Sequence, residues 1–253
     1  HGRLTGPQVL TAGRNAAGML AVSEAMAGDM AALGLPRERI AVHYTGLDRS
    51  RFRPTDKRQA RRQLLERGIV TLAQDRPFIA TVGALIPRKG QELVIRALAG
   101  LPGAVLGLVG KGPDEARLAA LAQRLGVAGR VRFLGSLDHD TLPLVLSAAD
   151  TMALPSASEG LANAWVEALA CGTPIVISDA GGAAELLRSP EAGRIVPRDA
   201  DAIASALREL IENAPAPEIV AQAAAPFSWE THAERLSAWF ESLVQASPRA
   251  AFS

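Results

Sequence analysis

The chain has 253 residues, 48% hydrophobic and 21% charged, with 27 basic against 26 acidic side chains and a net charge of +1. Such a composition suits a soluble globular protein with a sizeable core, and its balance calls for neither nucleic acid nor an anionic membrane surface. The single cysteine, Cys171, excludes an intrachain disulfide and fits a reducing compartment; no run of about 18 apolar residues is present to cross a membrane.

No signal peptide is visible, and a chain that starts at His1 and soon enters a helix-like segment reads as part of a longer protein. Residues 14–33, RNAAGMLAVSEAMAGDMAAL, give a short buried run, then a helix capped by Ser23, with Glu24 in its first turn and Gly34 as its stop. RIAVHY (39–44) is a strand, residues 45–57 are a linker, and a helix is expected near 57–67. The arginines between Arg49 and Arg67 are read as a solvated face rather than a phosphate or lipid-headgroup patch.

From residue 77 a beat repeats. Strands are expected at 77–83, 104–110, 130–135, 151–155, 174–178 and 193–197. Helices are expected between and after them, at 90–100, 113–126, 141–148, 161–171, 181–188 and 199–212. Pro113 is placed at the first position of its helix and Gly126 after the last. Near-continuous apolar strands alternating with helices predict an α/β fold, a doubly wound parallel sheet with helices on both faces. A last amphipathic helix spans 228–245, capped by Ser228, with Trp229, Leu236, Phe240 and Leu243 on one stripe.

In such sheets ligands bind at the carboxyl ends of strands. VGALIPRKG (82–90) follows the first strand of the repeat and carries Gly83, Arg88 and Lys89 just ahead of a helix. A glycine turn into a helix N-terminus suits an anion, though this segment alone does not decide between a phosphate ligand and a surface lysine. VGKGPDE (109–115) is read as a tight strand-to-helix connection. PSASEGLANAWVEALACGTPIVIS (155–178) holds two carboxylates, Glu159 outside a helix N-terminus and Glu167 within the helix, on the order of 12 Å apart at 1.5 Å rise per residue. Two readings stand: a helix-dipole partner and a structural salt bridge, or a long polar ligand such as a sugar nucleotide lying along the helix. Cys171 is read as packing, and the histidines at 1, 43, 139 and 232 show no ligand spacing, so no metal site is expected.

Glu159-Gly160, six residues, then Glu167-Ala168, followed by ACGTPIV and GGAAE, resembles the donor domain of retaining GT-B glycosyltransferases, in particular family 4, the glycosyl transferases group 1. VGALIPRKG, LVGKGPDEARL and VRFLG match that family's blocks in order, AVSEAM and HYTGLDRSRF resemble its interdomain segment, and FSWETHAERL resembles its terminal helix. The resemblance implies a remnant of an N-terminal acceptor domain and linker at 1–50, a Rossmann-like donor domain at 51–226, and a crossover helix and tail at 227–253. It implies that Lys89 binds the donor diphosphate and Glu159 holds the transferred sugar near the reacting carbon. Glu167 would take the ribose hydroxyls. Gly83 and the amides of Gly160, Leu161, Ala162 and Asn163 would line the phosphate or sugar, and Phe133, Leu134 and Gly135 would meet the base.

Many members have an arginine where this chain has Ala84; Arg88 is the candidate to replace it. No cofactor and no metal is implied, only a nucleotide diphosphate sugar, UDP- or GDP-linked, with a glycan or glycolipid acceptor bound by the missing domain. The implied setting is cytoplasmic, with the full-length enzyme peripheral at the inner face of the membrane and building surface polysaccharide or lipopolysaccharide. The fragment alone is expected to bind donor but to transfer inefficiently. The alternatives are a sugar-nucleotide epimerase on the same architecture and a non-catalytic α/β binding module. No GxGxxG follows a strand, which disfavours a nicotinamide enzyme.

Overall fold

The computed structural model describes residues 2–246. Two sheets organise them. In the small one, β1 (Met19–Ala21) pairs in parallel with β2 (Ile40–Val42), flanked by α1 (Gly2–Asn15) and α2 (Glu24–Ala32). Its modest core is Met19, Ala21, Ala27, Leu35 and Ile40. Ser23 caps α2 as expected, accepting from the Met26 amide, and Gly34 ends it at φ 89°.

After α3 (Lys57–Glu66) the chain builds a six-stranded sheet from β3 (Phe78–Val82), β4 (Val105–Val109), β5 (Val131–Gly135), β6 (Thr151–Leu154), β7 (Ile175–Ile177) and β8 (Gly193–Ile195). Its order is β5-β4-β3-β6-β7-β8, and every pairing is parallel. The expected beat of strands and helices is present throughout. The central strands β3, β4, β6 and β7 are buried along their whole length, as strands covered on both faces must be. Helices α3, α6 (Leu142–Ala148) and α7 (Asn163–Ala170) pack one face; α4 (Gln91–Ala99), α5 (Glu115–Arg124) and α9 (Ala200–Glu212) pack the other. Phe78, Ile79, Leu106, Leu108 and Met152 are fully enclosed, each worth about 1.5–3 kcal/mol of burial.

One ion cluster closes the amino end of this sheet. Asp150, just before β6, accepts from Lys57 Nζ at 2.6 Å, Arg61 Nη2 at 3.0 Å and the Phe78 amide at 2.7 Å. Arg61 is 2% exposed and spends its other donors on the carbonyls of Ala148, Ala73 and Gln74.

Four local expectations are corrected. α5 starts at Glu115, not Pro113, because the Asp114 amide turns back to the Leu85 carbonyl at 3.1 Å. α7 starts at Asn163, not Leu161: Ala162 is still extended at ψ 124°, and the Gly160 carbonyl is taken by the Gly182 amide at 2.7 Å. A helix the sequence reading omits, α10 (Pro217–Gln222), has Pro217 at its start and Glu218 in its first turn, the signal that would have found it. In α11 (Trp229–Ala246) Ser228 does cap the N-terminus, but the predicted stripe is not buried: Trp229 and Phe240 are exposed, Leu236 and Leu243 only half-buried. The enclosed side chain there is His232, edge-on to His43 at 5.0 Å. Residue 1 and residues 247–253, including the expected tail, lie outside the described residues.

Candidate functional site at the switch point of the sheet

The chain runs outward from β3 to β5, returns to β6 and runs outward again to β8, so strand order reverses between β3 and β6. Crevices for ligands form at such reversals, outside the carboxyl ends. Here the β3–β6 ladder pairs only Ile79 with Thr151 and Ala80 with Met152. Beyond it the Thr81 hydroxyl reaches the Ala153 carbonyl at 2.9 Å. The two strands then feed the two loops that carry the candidate residues.

The β3 loop is tightly held. The amides of Gly83 and Leu85 bond the carbonyls of Val109 and Lys111, and buried Gln91 donates to the Ala84 carbonyl. It ends in a 3-10 turn, Pro87–Lys89, and Gly90 at φ 77°. A side chain on Gly90 would lie 2.4 Å from the Pro155 carbonyl, so only glycine lets α4 start against the end of β6. The loops are stapled together: the Ala157 amide donates to the Arg88 carbonyl at 2.7 Å, and the Arg88 guanidinium donates to the Ser158 carbonyl.

This brings Lys89 to Glu159. Lys89 Nζ stands 2.6 Å from Glu159 Oε1, and Arg88 Nη1 stands 3.6 Å from Oε2. The Glu159 side chain is 8% exposed, Lys89 15% and Arg88 47%. Glu159 is therefore no helix-dipole partner, and Lys89 is no free surface cation; the lysine is positioned by the carboxylate. The backbone of Glu159 is fixed from behind by Gly181 (φ 54°), whose missing Cβ would fall 2.2 Å from the Glu159 carbonyl.

Helix α7 is buried except along Asn163, Ala164 and Glu167, one face of the helix. No side chain caps its N-terminus; Leu161 and Ala162 are buried and precede it. Glu167 has neither an ion pair nor a side-chain hydrogen bond among the described residues, which removes the salt-bridge reading. Burial pushes its carboxyl up from the ordinary value, opposed by the charge of His139. His139 follows the end of β5, where Phe133, Leu134 and Gly135 are half-buried and the Gly135 carbonyl accepts from the Gly110 amide at 2.7 Å. Lys111 lies against Gly135, exposed and without an ion pair among the described residues. The sequence reading treated its loop as a mere connection; a cation between two glycines at a strand's carboxyl end was the signal for it.

The sequence reading assigned no role to Glu185 or Tyr44. Glu185, in α8 (Ala183–Leu186), accepts from the amides of Glu24 and Ala25 and from the Tyr44 hydroxyl, all at 2.9 Å. Burial alone would raise its carboxyl, but these donors outweigh it and hold the carboxyl below the ordinary range. Burial and the Glu185 bond push Tyr44 up to about 12. Glu185 thus clamps the small sheet to the large one, and Val22 and Met26 close on Gly160 from the same side. A cavity of about 620 Å³ lies beside this clamp and another of about 510 Å³ beside His139; neither is lined by Lys89 or Glu159. Among the described residues no group of three or more His, Cys, Asp or Glu is placed to hold a metal, and no helix is long and apolar enough to cross a membrane.

Fold and site define a doubly wound α/β protein whose switch-point crevice offers cations from one loop and carboxylates from the other. The family model of the glycosyl transferases group 1 matches residues 63–226, and the chain belongs to that family. It is 36% identical over 219 residues to the D-inositol 3-phosphate glycosyltransferase of Mycobacterium marinum, covering 81% of this chain and 46% of the relative. Its counterpart in Mycobacterium tuberculosis is 35% identical over 224 residues, 83% of this chain and 45% of the relative. The chain spans about half the length of the curated relatives it matches. Among solved structures, sucrose-phosphate synthase from Thermosynechococcus elongatus superposes with a TM-score of 0.87 at 28% identity, over 97% of this chain and 63% of that one. The Anabaena protein Alr3699/HepE, solved in complex with UDP-glucose, gives a TM-score of 0.85 at 26% identity, over 96% and 68%.

Proposed function

We propose that this chain is the donor-binding part of a retaining, metal-independent glycosyltransferase that takes a sugar from a nucleoside diphosphate sugar. The observation that carries the reading is the Lys89–Glu159–Arg88 constellation at the switch point; it is supported by a neighbour solved with UDP-glucose.

In this reading Lys89 and Arg88 meet the diphosphate and stabilise the charge it gains as the sugar departs. Arg88, reaching the crevice from four residues beyond Ala84, supplies the second cation. Glu159 orients the sugar through its hydroxyls. Glu167, desolvated and without an ion pair or side-chain hydrogen bond among the described residues, accepts from the ribose hydroxyls. The open N-terminus of α7, with Gly160 to Asn163 leading into it, lies along the phosphates or sugar, and the end of β5 meets the base. The acceptor is a glycan or glycolipid, or the phosphorylated cyclitol that the mycobacterial relatives' name specifies. The work place is the cytoplasmic face of the membrane.

Calorimetric titration of the chain with UDP, GDP, ADP and NAD tests this. One diphosphate nucleotide binds in the micromolar range, and Lys89→Ala or Glu167→Ala weakens it about tenfold or more, roughly 1.4 kcal/mol. Silence toward all four, in the folded chain and in the full-length enzyme, overturns the reading.

A further inference from the structure

We infer that Glu159 competes with the donor's diphosphate for Lys89 and Arg88, and so makes the crevice favour a nucleotide that carries its sugar over the bare nucleoside diphosphate. The inference rests on the donor-site reading above and deepens it.

The geometry supplies the competition. Two cations of the β3 loop, Lys89 Nζ at 2.6 Å and Arg88 Nη1 at 3.6 Å, both face one carboxylate. Arg88 is half exposed and, among the described residues, held otherwise by the Ser158 carbonyl alone. Any diphosphate that draws these cations away leaves Glu159, 8% exposed, without its partners. An enclosed carboxylate stripped of its cations is costly, and it also repels the phosphates. A sugar attached to the diphosphate relieves both: its hydroxyls donate to Glu159 while the cations turn to the phosphates. A bare nucleoside diphosphate has no such hydroxyls at that place and bears the whole cost.

The order of events follows from this. While the sugar is bound, Glu159 is satisfied by hydroxyls. Once the sugar has gone, Glu159 takes Lys89 and Arg88 back and weakens the hold on the spent nucleotide. Discrimination between donor and by-product thus sits in one carboxylate that need not touch the nucleotide.

The test is calorimetric titration of wild-type chain, Glu159→Gln, Glu159→Ala, Lys89→Met and Glu159→Gln/Lys89→Met with UDP, GDP and UDP-glucose, each variant's fold verified by circular dichroism. Asp179→Asn is the control, since Asp179 is an exposed carboxylate at the end of β7 with no ion pair among the described residues. Either Glu159 variant binds the bare nucleoside diphosphate about fivefold or more tightly than wild type, a factor equal to roughly 1 kcal/mol. The same variants show no gain for the sugar-bearing nucleotide. The gain shrinks on the Lys89→Met background, where only Arg88 and the repulsion of the phosphates remain to be relieved, and Asp179→Asn shows none. Equal or weaker binding of the bare nucleotide by both Glu159 variants overturns the inference, as does a gain that Lys89→Met leaves undiminished. Both outcomes leave the donor site standing; a wild-type chain and full-length enzyme that bind no nucleoside diphosphate bring down the donor site and this inference together.

Discussion

Two carboxylates flank the same strand, and each sits between a lysine and an arginine. Asp150, before β6, and Glu159, after it, both hold a lysine at 2.6 Å. At the amino end the arginine and the carboxylate are tied to backbone: Arg61 donates to three carbonyls, and Asp150 also accepts the Phe78 amide. At the carboxyl end the arginine is half exposed and donates to one carbonyl, that of Ser158. The same three charges make a structural lock in one place and an exchangeable site in the other. What separates them is how many of the remaining donors the main chain has already claimed.

Breaking the lock has the largest expected effect. Asp150→Ala leaves an almost fully enclosed arginine unpaired and costs about 3–5 kcal/mol, read by urea unfolding, whereas Glu159→Ala costs less than half as much. Equal losses would mean that Asp150 and Glu159 are locked alike.

Glu185 is a third carboxylate held in a different way, its partners being two amides and a hydroxyl rather than cations. Glu185→Ala costs about 1–2 kcal/mol, as loss of a helix cap does, and raises hydrogen exchange across α2. The Glu185 carboxyl is held below the ordinary value of 4.5, so its contribution is fully present above that value. It is lost as pH falls below it toward the folded-state value, and the variant's deficit shrinks in step.

Glu167 gives the smallest effect and the opposite sign. Its carboxyl is pushed up by burial, so the folded chain holds that proton more tightly than the unfolded one. Ionising it costs stability as pH rises above the ordinary value. Glu167→Gln therefore raises the melting temperature at pH 7, by no more than the roughly 2–4 °C that 1 kcal/mol supplies in a domain of this size. The gain disappears below about pH 4.5. A melting temperature lowered at pH 7 would mean that Glu167 has a partner after all.

Legibility follows sequence distance. Apolar strand runs, the Ser23 cap and the Gly34 stop are local signals, and the structure keeps them. The start of α7 was misread because its cause is remote: Gly182, 22 residues on from Gly160, takes the carbonyl that would have begun the helix earlier. The site divides likewise. Glycine spacing and charge placed Lys89 and Glu159 on loops at strand ends, yet their pairing spans 70 residues and depends on the order of strands in the sheet. The Glu185 clamp spans 161 residues to Glu24 and 141 to Tyr44. No periodicity reports a contact of that range. His43 and His232 show the same limit: neither has a spacing that hints at the other, and only the return of α11 across the junction brings their rings together.

The clamp at Glu185 has a consequence for how such a chain diverges. It grips α2 chiefly by peptide N–H groups, which every residue but proline offers. The side chains of Glu24 and Ala25 are thus free to drift without loosening the joint, provided the helix still begins there. One side of the joint is written in a specific residue, the other mostly in the geometry of a helix start, with the Tyr44 hydroxyl beside it.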